Sequence, residues 1–284
     1  MRSFAASLLT ALFLASGAAG AAEPQRIISA GGDITEIIYQ LGAGDRVIAV
    51  DSTSTFPAEA AGKEQIGYIR RLAAEGILSL QPDLLIAAHD AGPPPAVEQL
   101  KAAGLRVELA PKGDSLTGVQ EKIRFVGDVL AMPEAAGTLA EQLEADMQGA
   151  SEVARAVPEN TRVIFVLNTR DGAPLVAGAG TAADAIIGLS GGVNAVTGFE
   201  GYKPMSQEAI ISAAPDVLLM MSQTLDRIGG IDAMLARPEF SLTPAGKNRR
   251  FVAMDGILML TFGPRLPEAV RELATALTKT TQSD

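Results

Sequence analysis

Apolar positions along the chain switch between two periods. Short aliphatic runs at Arg26 to Ser29, Arg46 to Asp51, Asp83 to Ala88 and Leu105 to Leu109 alternate with stretches whose apolar residues recur every three or four positions. Runs of the first kind predict strands and those of the second kind helices, so their alternation predicts an α/β lobe. The first helix is the best marked. Ile34, Ile37, Ile38 and Leu41 share one face, Asp33 and Glu36 have the spacing of a capping box, and Gly42 and Gly44 close the segment.

A second series starts at Arg162 to Leu167 and continues with Leu175 to Ala177, Asp216 to Met221 and Arg250 to Met254, again with helical patterns between. Ser115 to Ala156 separates the two series with helical periodicity alone, interrupted at Met132-Pro133, where proline kinks or restarts the helix. The reading is α/β, with two Rossmann-like lobes, residues 23–114 and 157–284, joined by a long helical connector, residues 115–156. Gly67-Tyr68, Glu75 and Pro82-Asp83 also find counterparts in Gly201-Tyr202, Glu208 and Pro215-Asp216, with a slip near the tyrosines. Two similar lobes facing each other would hold a ligand in the cleft between them.

Composition narrows the chemistry. After Arg2, an uncharged apolar run from Phe4 to Ala22 ends in the small residues Ala19-Gly20-Ala21, so residues 1–22 read as a signal peptide cleaved after Ala21 or Ala22. The chain has no Cys, which removes disulfides, thiol catalysis and lipid attachment at cysteine, and a single histidine, His89. A site built from several imidazoles is therefore impossible within one chain. A formal charge of −10 makes nucleic acid a poor partner, since phosphate binding needs a basic face. A soluble periplasmic protein, expected to be a monomer, fits these features.

The segment Gly67-Tyr68-Ile69-Arg70-Arg71-Leu72, running on to Gln81-Pro82-Asp83, is the most specific stretch. With Ala91-Gly92-Pro93-Pro94, Gly172-Ala173-Pro174, Gly180-Thr181-Ala182-Ala183-Asp184-Ala185, Tyr202-Lys203-Pro204-Met205-Ser206 and Gly263-Pro264-Arg265, it resembles the periplasmic haem-binding proteins of bacterial ABC importers. These belong to the helical-backbone class of solute-binding proteins that also carries siderophores and vitamin B12. The resemblance implies haem as transported ligand, no enzymatic activity, and an inner-membrane ABC permease as partner.

It further implies that Tyr68 ligates the haem iron, a sensible choice because a phenolate is a hard anionic oxygen suited to ferric iron. A free phenol titrates near ~10, so the anion needs help from the metal and from a cation. Arg70, two residues on, is assigned to that pairing, with Arg71 as a second candidate. Arg170, Lys203 and Arg265 are candidates for the propionates, Met205, Met259 and Phe262 for the porphyrin faces, and His89 for a loop contact. Some relatives add a histidine ligand where this chain reads Asn168-Thr169-Arg170-Asp171, so a tyrosine-plus-histidine site of that form is not expected. For permease docking the candidates are Glu36, which the capping box also claims, and Asp184. A ferric siderophore or a corrinoid in the same scaffold, or a haem enzyme, are the alternative functions.

Overall fold

The computed structural model describes residues 23–169 and 172–279. The expected signal peptide and Arg170 lie outside the described residues. In the first lobe β1 (Ile27–Ala30), β2 (Val47–Val50), β3 (Glu64–Gln65), β4 (Leu84–Ala87) and β5 (Arg106–Leu109) form a parallel sheet in the order β3-β2-β1-β4-β5. Every residue of β1 and β4 is buried, which explains why these strands read as unbroken apolar runs rather than alternating ones. The strand order reverses between β1 and β4. In open α/β sheets the crevice beyond the carboxyl ends of such strands is where ligands sit.

The second lobe comprises β6 (Arg162–Asn168), β7 (Leu175–Ala177), β8 (Val193–Asn194), β9 (Tyr202–Pro204), β10 (Val217–Met221) and β11 (Phe251–Met254), ordered β11-β10-β6-β7-β9 with β8 paired to β6. Strand β7 is antiparallel to both of its neighbours. The apolar patterning missed β3, β8 and β9, which are two or three residues long and largely exposed, too short to show a period.

Proline at the middle of the helical stretch restarts the helix rather than kinking it. The helix Leu116–Val129 ends, Ala131 takes a left-handed conformation (φ 59), and Pro133 occupies the first turn of the 22-residue helix Pro133–Ala154. The two helices run antiparallel, since Gln120 Nε2 donates to the Ala140 carbonyl at 3.2 Å. They also pack tightly: a Cβ placed on Gly127 would lie 2.3 Å from Ala136 Cβ. The longer helix spans about 33 Å and carries the chain from one lobe to the other, with the C-terminal helix Leu266–Thr278 packed along it.

The suspected internal repeat is present in atomic detail. In the first lobe Asp83 accepts from the backbone N–H of Arg26, Asp83 N–H donates to the Arg26 carbonyl at 3.0 Å, and the Arg26 guanidinium donates to the Leu80 and Gln81 carbonyls. In the second lobe Asp216 accepts from Arg162 N–H at 2.9 Å, its own N–H returns to the Arg162 carbonyl at 2.7 Å, and the Arg162 guanidinium donates to the Ala213 carbonyl. Even the left-handed residue before each proline recurs, Gln81 (φ 50) and Ala214 (φ 42). Each copy joins the end of a helix to the start of two buried strands, so the same arginine and aspartate solve the same problem of unsatisfied backbone groups twice.

Candidate functional site

Tyr68 follows Gly67, whose φ of 86 turns the chain as it leaves β3, and it is itself extended before the turn Ile69–Arg71. Two anchors hold this segment at the carboxyl ends of the strands. Ser52 N–H donates to the Gly67 carbonyl at 2.8 Å, and Ile69 N–H donates to Asp51 at 3.3 Å. Asp51 is fully buried and collects further donors from Gly31 N–H and the hydroxyls of Thr53 and Ser54. Neutral donors alone satisfy this carboxylate, which ties the ends of β1 and β2 to the Tyr68 turn. On the other side Gly92 N–H donates to the Ile69 carbonyl and Leu72 N–H to the Gly92 carbonyl, closing the turn onto the loop after β4.

Arg70 Nη1 donates to the Tyr68 hydroxyl at 2.7 Å, so the expected pairing is formed. It arises through the tight turn at Ile69–Arg71. The remaining edge of the guanidinium engages Asp90, with Nε 2.8 Å from Oδ2 and Nη2 on the same oxygen. Burial works against the charge of Arg70, but the hydrogen bond and charge of Asp90, with Tyr68 behind them, outweigh it and raise its pKa. Arg71 is exposed, its guanidinium carbon 5.9 Å from the Tyr68 ring centre. His89 is exposed next to Asp90, just past β4.

In the second lobe, Lys203 is exposed with its ammonium 5.3 Å from the Phe199 ring, and Met205 is half-buried against that lobe's core. Tyr202, 37% exposed, stands edge-on to Phe165. Burial pushes its phenol up, against backbone and side-chain hydrogen bonds from Ala183 and Thr181, and Arg70 of the first lobe is near enough to pull it down.

Four expectations are corrected. Met259 and Phe262 are 0% and 1% exposed within the main core, so they pack the protein and form no porphyrin wall. Arg265 is committed elsewhere: it donates to Glu36 at 2.6 and 3.0 Å and lies 3.9 Å from the Phe56 ring centre. Glu36, at 3% exposure, is inside the protein and cannot reach a partner's arginine. Nor is there a capping box, because the helix begins two residues earlier, at Gly32 after Gly31, and Asp33 pairs with Lys122 at 2.6 Å. Asp184 is half-buried and accepts from Gly180 N–H and from Asn194, each at 3.0 Å. The cavities near Arg265 and Tyr39 do not include Tyr68.

Asp90 is bonded to this group without having been a sequence candidate, and Tyr202, Glu75 and Glu208 entered only as members of the repeat. Asp90 could have been found as an acid one step past the end of a buried strand at the reversal of the sheet. Glu75 and Glu208 are both exposed acids in the first turn of matching helices, Ala74–Ser79 and Gln207–Ala213.

A two-lobe α/β architecture on a helical backbone, with its polar group at the carboxyl ends of the strands, defines a solute-binding protein. The chain belongs to the periplasmic binding protein family, whose pattern matches residues 27–258. Among solved structures it is similar to the periplasmic heme-binding protein RhuT from Roseiflexus sp. RS-1 in apo form, at 42% identity and a TM-score of 0.86, covering 89% of this chain and 98% of that one. It is also similar to the periplasmic heme-binding protein BhuT in complex with two hemes, at 41% identity and a TM-score of 0.85, covering 89% and 97%. An uncharacterized ABC transporter substrate-binding lipoprotein of Bacillus subtilis is 29% identical over 258 residues, 90% of this chain and 80% of the relative. Vitamin B12-binding proteins of Vibrio species match at 25% to 29% identity.

Proposed function

We propose that this chain captures haem in the periplasm and delivers it to an ABC importer of the inner membrane, with Tyr68 as the iron ligand. The observation that carries the reading is the Tyr68 hydroxyl held at 2.7 Å from an arginine that is itself fixed by an aspartate, at the crevice where this fold receives ligands. A phenol in that setting has a cationic donor in place before any metal arrives, and ferric iron then supplies the charge that makes it a phenolate. Arg71 and Lys203, both exposed, are the candidates to meet the propionates. The two solved haem-binding relatives, each above 40% identity over nearly their whole length, support the same ligand.

The vitamin B12-binding relatives favour a corrinoid as the second reading. Equilibrium titrations of the mature protein with haemin, cyanocobalamin and a ferric hydroxamate separate the two. Haemin should bind with a Soret shift and a charge-transfer band, and the others at least a hundredfold more weakly; preferential binding of cyanocobalamin would overturn the assignment.

Delivery requires a surface the permease can recognise on both lobes. With Glu36 buried, the exposed acids at equivalent places of the repeat, Glu75 and Glu208, are the better candidates for pairing with permease cations. Its own backbone N–H and the Ser206 hydroxyl hold the Glu208 carboxyl below its ordinary value. Glu75→Lys with Glu208→Lys should leave haemin affinity unchanged and reduce uptake in proteoliposomes at least tenfold.

A further inference from the structure

We propose that Asp90 is the positioning residue of the ligand site: acting through Arg70, it fixes the one donor that faces the Tyr68 hydroxyl and thereby sets how long haem stays bound. The inference rests on the assignment of Tyr68 as iron ligand and deepens it. Arg70 reaches the site on a flexible side chain that is 60% exposed. Among the described residues its guanidinium has two hydrogen-bonding partners, Asp90 and Tyr68. Nε and Nη2 both converge on Asp90 Oδ2, which leaves Nη1 as the donor directed at the phenol. Without the carboxylate, nothing restrains the guanidinium from swinging into water, and the ordering cost would fall on the Tyr68 contact alone.

Asp90 is suited to the task because its own place is fixed relative to Tyr68. Its loop follows the buried strand β4, Ala91 N–H returns to the Ala88 carbonyl at 3.0 Å, and Gly92 exchanges backbone hydrogen bonds with Ile69 and Leu72 at 3.0 and 2.7 Å. The clamp therefore spans two segments already stitched together, and the donor is aimed before ligand arrives. Arg71 offers a contrast: its guanidinium lies as far from the Tyr68 ring as that of Arg70, 5.9 Å, yet Arg70 is the one hydrogen-bonded to the hydroxyl. Proximity of a cation is thus not what distinguishes Arg70; the aspartate behind it is.

A double-mutant cycle tests this with two readouts, haemin dissociation into excess apomyoglobin and the phenolate-to-iron charge-transfer band. Asp90→Ala and Arg70→Ala should each speed dissociation about tenfold, the loss of one charge-assisted hydrogen bond, and displace the band in the same direction. The double variant should match Arg70→Ala within about twofold. Asp90→Asn, whose amide oxygen still accepts from Nε, should fall between wild type and Asp90→Ala, and it replaces the alanine variant in the cycle if that variant does not fold. Unchanged dissociation in Asp90→Ala, or effects that multiply in the double variant, overturn the proposal while leaving the iron ligand intact. Tyr68→Ala is run alongside: if it retains the wild-type band and rate, the ligand assignment fails and the positioning role fails with it.

Discussion

At the scale of single residues, the site is organised by two carboxylates with different partners. Asp90 faces a guanidinium, whereas Asp51 is buried among neutral donors from Gly31, Thr53, Ser54 and Ile69. Asp51→Asn replaces an acceptor-only group by one carrying two N–H donors, in a place where every neighbour also donates. It should destabilise the fold by about 2 kcal/mol and loosen the Tyr68 turn. Urea unfolding measures the first effect, and amide exchange at Ile69 the second. An Asp51→Asn protein as stable as wild type would mean that the hub is dispensable.

Among the elements, legibility in the sequence followed length and burial. Strands β1, β4, β6 and β10 were visible because each is a buried aliphatic run, and the first helix because Ile34, Ile37 and Ile38 repeat at helical spacing. The Tyr68–Arg70 contact was also legible, although it forms through a turn. What patterning could not show was which charged residue faces inward: Glu36 and Asp33 look like helix-capping surface acids until Arg265, 229 positions away, and Lys122 arrive to pair with them. Such pairings depend on how two lobes dock, information that no local window contains. The helical stretch was read as one connector, and the antiparallel reversal at Ala131 was hidden for the same reason. Its tight crossing gives a direct check. Gly127→Leu should cost about 3 kcal/mol by forcing the helices apart, seen as a fall in the urea midpoint; a neutral substitution would contradict the close approach to Ala136.

For the molecule as a whole, the lobes are held by more than the long helix. Lys122, buried, bridges Asp33 and the Thr261 carbonyl, and the half-buried Arg265 pairs with Glu36, so two cations tie the first lobe to the segment before the C-terminal helix. Wide hinge closure would break both. Small-angle scattering should accordingly show a radius of gyration that changes by less than about 1 Å on adding ligand, set against a mature chain of this size; a large contraction would rule out the rigid frame. The Glu36–Arg265 pair also predicts a pH effect. Burial raises the Glu36 carboxyl above its usual value of 4.5, with Arg265 offsetting only part of the rise. A raised folded value means that the stability owed to this group is fully present below the unfolded value and is lost as pH rises through the folded one. Comparison with Glu36→Gln by thermal unfolding should therefore show wild type losing ground from about pH 4.5 upward, and a gain instead would show that Arg265 dominates burial.

The proposed role of Tyr68 as ligand to a haem iron is tested by a visible absorption titration of haemin into wild type and Tyr68→Ala. Wild type should give a saturable Soret shift with a phenolate charge-transfer band, and the variant should lose that band and bind at least a hundredfold more weakly. An identical spectrum and affinity in the two proteins would rule out Tyr68 as the iron ligand.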